Sequence, residues 1–277
     1  MIALLAAFTV AVTVDDLPAH GPDTDRVAVT RKILAAFRKH RLPPVIGFVN
    51  RRKLEGHPEL EEVLRLWRAE GNPLGNHGYA HLSLTATAPE TYVEDIARNE
   101  REDLAKVYRY PFLFEGDTLE KRHFVRDWLA GHGYRIAQVT IDGDDWAWNP
   151  PYTRCAAKGD QLTLGRLRQT FLDAHAQMIA FYVRLARELA GRDVAHILLL
   201  HVGAMDADQM DALLSTLEAQ GARFVTLEEA MGDPIYGEAP DLAWKVGASL
   251  LDRMVKARGL KPAYPQVDEK WLESACR

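Results

Sequence analysis

Residues 8–21 read FTVAVTVDDLPAHG, and the fold is decided there. Residues 8–14 are apolar or β-branched and predict a buried β-strand. Two carboxylates, Asp15 and Asp16, follow without a spacer, and Leu17-Pro18 opens a loop. Adjacent carboxylates in a loop are often a helix cap or solvated charge. Directly after a buried strand they repel, and need a cation or an arginine to stay ionised. Strand alternation sends the two in different directions, so that one can hold a metal while its neighbour does something else. Residues 1–7 lack a basic leading segment and read as the remnant of a targeting segment; the apolar run from Met1 to Val14 is too short to span a membrane.

Outward from this strand, helix and strand signals alternate. Residues 26–40 carry Val29, Ile33, Leu34 and Phe37 at helical spacing, and residues 45–49 (VIGFV) read as a second strand. A helix over 58–70 starts at Pro58 and stops at Gly71, and a short strand over 73–76 leads to His77. Residues 89–106 read as a charged amphipathic helix, and 107–111 as extended before Pro111. Asp117 is placed to cap a helix running to Ala130. Residues 134–141 read as a strand, 149–160 as a proline-rich loop, 162–189 as a long helix and 196–201 (HILLLH) as a buried strand. A helix over 206–220 and a strand over 223–226 complete the series. In the long helix, Phe171, Ile179, Phe181, Tyr182 and Leu185 form a stripe, read as facing the core rather than a second subunit. Repeated β-then-α order predicts an α/β fold of about seven parallel strands closing into a distorted (β/α) barrel.

Composition narrows the function. With 47% hydrophobic and 26% charged residues the chain is an ordinary globular protein rather than a disordered or coiled-coil one. A net charge of −5 argues against nucleic acid or an anionic membrane as partner. Two cysteines, Cys155 and Cys276, exclude a cysteine-only zinc site, and their pairing is not legible from sequence.

Acids and histidines collect at the C-terminal ends of the predicted strands, the rim where sites assemble in parallel α/β folds. Asp15 and Asp16 follow the first strand and His77 the third. Arg109 ends the fourth, Asp142, Asp144 and Asp145 follow the fifth, and His201 ends the sixth. His77 and His81 are spaced H-x-x-x-H; on a helix they share a face, where both imidazoles meet one ion. An arginine at position 109 can hold a carboxylate ionised through a forked contact. The segment around Asp142–Asp145 can equally be a tight turn, and lacks the ligand spacing of an EF-hand. His201 after an apolar run is either a core histidine or a general acid or base. His20, in the loop after the first strand, reads as a turn histidine rather than as a substrate contact.

Five motifs in this order, Asp15-Asp16, His77-x-x-x-His81, Arg109-x-Pro111, Asp142-x-x-Asp145-Trp146 and Leu199-x-His201, resemble the polysaccharide deacetylase family, also called NodB-homology or carbohydrate esterase family 4. The resemblance runs from about Val10 to Met231, giving a catalytic domain over 8–231 and a C-terminal helical extension over 232–277. It implies one zinc, or another divalent ion such as cobalt, nickel or manganese, held by Asp16, His77 and His81. It implies Asp15 as general base, tuned by Arg109, and His201 as general acid, oriented by Asp145. The Phe112 N–H would bind the oxyanion, while Trp146 and Leu199 would line a small pocket for the acetyl methyl group. The implied substrate is an N- or O-acetylated sugar, oligosaccharide or cell-wall glycan, and the implied location periplasmic or secreted. Three positions depart from the usual pattern: Val14 stands for Phe, Gly78 for Ser or Thr, and Phe112 for Tyr. With the wording of residues 15–21, they mark a divergent branch. Two alternatives are an amidase acting on a small non-sugar amide and a carbohydrate-binding protein without turnover.

Overall fold

The computed structural model describes residues 7–21 and 24–277; residues 1–6, and with them most of the expected targeting remnant, lie outside the described residues. The first strand, β1 (Phe8–Leu17), extends three residues past the expected end and carries both carboxylates within it. It is followed by α1 (Arg26–Lys39), β2 (Ile46–Val49), α2 (Glu61–Ala69), β3 (Leu74–Asn76), α3 (Pro89–Arg98) and β4 (Leu104–Tyr108). Then come α4 (Leu119–Gly131), β5 (Arg135–Ile136), β6 (Ile141–Asp142), α5 (Asn149–Lys158) and α6 (Gln161–Ala190). β7 (Ala195–His201), α7 (Ala204–Ala219), β8 (Ala222–Phe224) and α8 (Leu227–Met231) follow, and α9 (Leu250–Ala257) and α10 (Glu269–Ser274) belong to the C-terminal stretch.

The hydrogen-bonded strand order is β5-β4-β3-β2-β1-β7-β6, with β8 on the N-terminal part of β1. Every strand pair among the described residues is parallel. The two end strands of that path, β5 and β6, are neighbours in sequence. The chain from 137 to 140 passes from β4 (Ala137 N to Tyr108 O, 2.8 Å) to β7 (Thr140 N to Ile197 O, 3.0 Å). The sheet therefore curls on itself as a distorted barrel of seven strands, and the expected single strand over 134–141 is two short pieces with this crossing between them.

Side chains of β1 divide by strand period. Val10, Val12 and Val14 point outward into the core shared with the helices, while Ala11 joins Ile46, Phe48, Val107 and Ile197 inside the barrel. Each fully buried valine contributes about 1.5–3 kcal/mol. The helix stripe of Phe171, Ile179, Phe181, Tyr182 and Leu185 is buried in the outer core, as expected. The same alternation sets the inward series Ala11, Thr13, Asp15 on β1 and Ile197, Leu199, His201 on β7. The two strands pair in register with Asp15 opposite His201.

Several local expectations need correction. The helix over 89–106 stops at Arg98, because Asn99 turns toward the sheet: its amide donates to Val49 O at 2.6 Å and accepts from Arg51 N. Residues 104–108 are then free to form β4. The segment over 149–160 is helical, not a loop, with its prolines in the first turn, where they lack no needed N–H. Thr118, not Asp117, caps α4, accepting from Lys121 N at 3.2 Å.

Cys155 of α5 and Cys276, after α10, form a disulfide with Cα atoms 5.2 Å apart, closing 121 residues of chain. Removing a cross-link of that span costs about 2–5 kcal/mol. The Cys155→Ser/Cys276→Ser double variant is therefore expected to unfold at a clearly lower denaturant midpoint than the oxidised native protein. An unchanged midpoint would show that the C-terminal stretch is held by packing alone.

Candidate active site

The rim of the barrel opens into a cleft of ≈ 720 Å³ lined by Asp15, Asp16, His77, His81, Phe112 and His201, among others. It brings together all of the sequence-predicted residues except two buried ones beneath it, Arg109 and Asp145.

Both carboxylates of β1 reach this cleft, against the expectation that alternation would part them. Asp15 follows the inward series. Asp16 takes φ 71°, a left-handed conformation that turns its side chain back to the same side. Asp15 is buried and receives two bonds from the Arg109 Nη1, at 3.2 and 3.3 Å. Arg109, also buried, is fixed by Ala137 O on its Nε (2.6 Å) and Thr13 Oγ1 on its Nη2 (3.1 Å). The guanidinium lies over the Phe48 ring at 4.6 Å. Burial pushes the Asp15 carboxyl up, and the Arg109 charge opposes that without cancelling it.

Asp16 meets the two histidines. Its Oδ1 lies 3.4 Å from His81 Nε2 and 4.0 Å from His77 Nε2. One ligand atom from each of Asp16, His77 and His81 lies within 4.8 Å of the others. The H-x-x-x-H pair does not owe its shared face to a helix. His77 and His81 lie in a loop after β3, and His81 has φ 54°. The backbone is held instead by amides and a carboxylate. Asn50 donates to His77 O and Gly78 O at 2.7 and 3.0 Å, Asn76 accepts from Gly78 N at 2.9 Å, and Asp95 accepts from Ala80 N at 3.0 Å. These residues were not singled out in the sequence, although Asn50 and Asn76 stand on the same rim. The loop also explains Gly78. Its φ is +74°, and a Cβ there would sit 2.8 Å from the Asp95 carboxylate.

His77 Nδ1 bonds the Arg109 carbonyl at 2.8 Å. A carbonyl only accepts, so the proton is on Nδ1 and Nε2 carries the lone pair, 3.6 Å from Asp15 Oδ2 and 4.0 Å from Asp16 Oδ1. Burial holds His77 well below the usual histidine range, and lowers His81 to about 4. Both imidazoles are therefore neutral at pH 7. Burial works against an ionised Asp16, but Lys53, the His20 bond and His81 outweigh it and hold this carboxyl well below its usual range. Two neutral imidazoles and one ionised carboxylate are a donor set suited to zinc, with positions left for water.

Two residues on Asp16 were not foreseen in this role. His20 Nδ1 lies 2.6 Å from Oδ2, and its ring is 4.5 Å from that of His201, so it is a cleft residue rather than a turn histidine. Lys53 Nζ lies 3.0 Å from Oδ1. A second trio, Asp16, His20 and His201, also brings three ligand atoms together.

On the opposite side His201 Nδ1 bonds Asp145 Oδ1 at 2.8 Å, and the His201 backbone N donates to Oδ2 at 2.6 Å. This leaves His201 Nε2 for the cleft. Phe112 and Trp146 are about half exposed (53% and 49%), and Leu199 lies buried between β-strand neighbours. Phe112 has φ 56°, and its ring packs on His81 at 4.3 Å. Lys245, Val246 and Gly247 of the C-terminal stretch form a further wall.

Residues 5–122 match the model of the polysaccharide deacetylase family. A peptidoglycan-N-acetylglucosamine deacetylase of Bacillus cereus is 26% identical over 222 residues, 79% of this chain. The chain spans 66% of that relative, just under two thirds of its length. Among solved structures, the chitin deacetylase of the fungal pathogen Colletotrichum lindemuthianum has a TM-score of 0.56 at 23% identity, over 84% of this chain and 91% of that one. A family 4 carbohydrate esterase from Streptomyces lividans, in complex with acetate, has a TM-score of 0.52 at 18% identity, covering 81% and 96%. A CE4 family pseudoenzyme from Bacillus anthracis has 0.53 at 14%, covering 81% and 66%. These structures share the barrel fold. With a pseudoenzyme among them, activity has to be argued from the residues of the site.

Proposed function

We propose that this chain is a member of the polysaccharide deacetylase family and a metal-dependent hydrolase that removes acetyl groups from acetylated sugars or glycans. The observation that carries the reading is the juxtaposition at one cleft of a tuned carboxylate, Asp15 on Arg109, and an oriented imidazole, His201 on Asp145. They are directly opposed across β1 and β7, beside the Asp16–His77–His81 group. A protein that only bound carbohydrate would need neither pair.

Asp16, His77 and His81 would hold the divalent cation, which we take to be zinc. When bound, it supplies Lewis acidity at the acetyl carbonyl and makes water easier to deprotonate. Asp15 accepts the proton of the attacking water, and Arg109 keeps that carboxylate oriented and ionised in a buried place. The Phe112 N–H stabilises the oxyanion. His201 gives its Nε2 proton to the departing amine, which is too basic to leave unprotonated, and Asp145 fixes the ring for that transfer. Trp146 and Leu199 take the acetyl methyl group, and the half-exposed aromatics Phe112 and Trp146 suit the faces of a sugar.

We place the protein in an oxidising compartment, periplasmic or secreted. The Cys155–Cys276 disulfide supports this, and among the described residues no helix is long and apolar enough to cross a membrane.

Acetate release from acetylated chito-oligosaccharides, set against a panel of small amides, tests the substrate class. Turnover of the small amides alone would move the protein to the amidase reading. The ligand assignment has its own test in Lys53, whose ammonium competes with a cation for Asp16 Oδ1. Lys53→Met is expected to bind Zn²⁺ at least about fivefold more tightly, the equivalent of about 1 kcal/mol for a partly exposed ion pair. Chelator competition measures it, and unchanged affinity would count against Asp16 as a ligand.

A further inference from the structure

Beneath the His201–Asp145 pair lies another buried carboxyl that the mechanism does not use. Asp206 sits in the first turn of α7, where the sequence reads as an ordinary helix start, yet its side chain is 1% exposed. Its Oδ2 accepts from the Asn149 amide at 2.8 Å. Its Oδ1 is buried and meets no donor. The Asp206 and Asp145 carboxyls face each other within hydrogen-bond reach. Asn149 is itself fixed, accepting from Met205 N at 2.8 Å, and packs so closely on Gly203 that a Cβ there would fall 2.2 Å from its amide.

Two carboxyls in contact inside a protein cannot both be ionised; one carries a proton and donates it to the other. The surroundings decide which. Asp145 already accepts from two His201 donors, the backbone N and Nδ1. Asp206 accepts from Asn149 alone. The proton therefore rests on Asp206, whose orphaned Oδ1 becomes the donor. Burial and the neighbouring Asp145 push the Asp206 carboxyl well above its usual range, in agreement.

We propose that Asp206 is a neutral acid locked by Asn149, and that its O–H, bonded to Asp145, positions that carboxylate for His201. Asp206 is thus a positioning residue acting through Asp145, in a chain running Asn149, Asp206, Asp145, His201. The groups that act on Asp206 are Asp145 from the turn after β6, Asn149 from α5 and the charge of His201 on β7, and Asp206 in turn acts on His20 in the loop after β1. Asp142 and Asp144 act on Asp145 in the same sense. The link to catalysis rests on the reading of His201 as the general acid; the shared proton does not.

The test separates the two. Asn at 206 accepts from Asn149 and donates to Asp145 as the neutral acid does, but has no proton to lose. A carboxyl whose value is raised by folding gives stability that is whole below its unfolded value, near 4, and is lost as pH rises through the folded value. The melting temperature of Asp206→Asn is therefore expected to gain on the native protein as pH rises from about 4 to about 8, at equal metal loading. A difference that does not change with pH would overturn the shared proton, whether or not the protein turns over substrate. For the catalytic link, Asp206→Asn is expected to keep kcat and the alkaline limb of the pH–rate profile, within about twofold. Asp206→Leu removes the donor and is expected to lose about tenfold in kcat and to move that limb, because a misplaced Asp145 no longer orients His201. Native kcat and an unmoved limb in the folded Asp206→Leu protein would overturn the link.

Discussion

Asp15→Asn is expected to fold, to take up metal as the native protein does, and to lose about 10²–10⁴ of kcat, the range supplied by a general base. Asn keeps an oxygen for the Arg109 guanidinium, which is otherwise satisfied by Ala137 O and Thr13 Oγ1, so the buried arginine is not stranded. What Asn lacks is the capacity to take a proton. Metal content measured beside the rate separates this role from that of Asp16, one residue on, whose replacement should empty the site. Activity within a few-fold of native would contradict Asp15 as the base.

The second large effect is on His201, and depends on the leaving group. His201→Ala is expected to lose about 10²–10⁴ of kcat on an acetamide, where the amine must be protonated as it departs. On an activated aryl acetate, whose leaving group departs as the anion, the loss should be less than about tenfold. Equal losses on both substrates would point to His201 acting in the attack step instead. Asp145 lies behind the ring and is fully buried, so its removal is expected to act through the same step.

Much of the fold was legible because the strands are apolar runs that end in polar residues. FTVAVTV into Asp15 and HILLLH at 196–201 mark both a strand and the side on which it ends. That is one-dimensional information, and the barrel order follows from it with few alternatives. Where the reading failed, a long-range contact or an unusual backbone angle had decided. Asn99 ends its helix by bonding across to the sheet, and the prolines of 149–151 start a helix where prolines are usually read as loop. Asp16 and His81 reach the cleft through positive φ, which neither residue type announces. His20 sits in the loop after β1 and Lys53 in a single 3-10 turn after β2, and only the folded barrel brings both to Asp16. Asp206 had the look of a helix-start carboxylate, and only its burial against Asp145 shows otherwise.

The central claim is that this cleft hydrolyses acetyl groups with a bound cation. The most direct measurement is the metal content of the purified protein together with acetate release from an acetylated chito-oligosaccharide, before and after chelation. The account predicts about one divalent ion per chain, acetate release that a chelator abolishes, and recovery on adding zinc or cobalt. Acetate release that survives complete removal of metal, or a protein that takes up no metal at any pH, would contradict it.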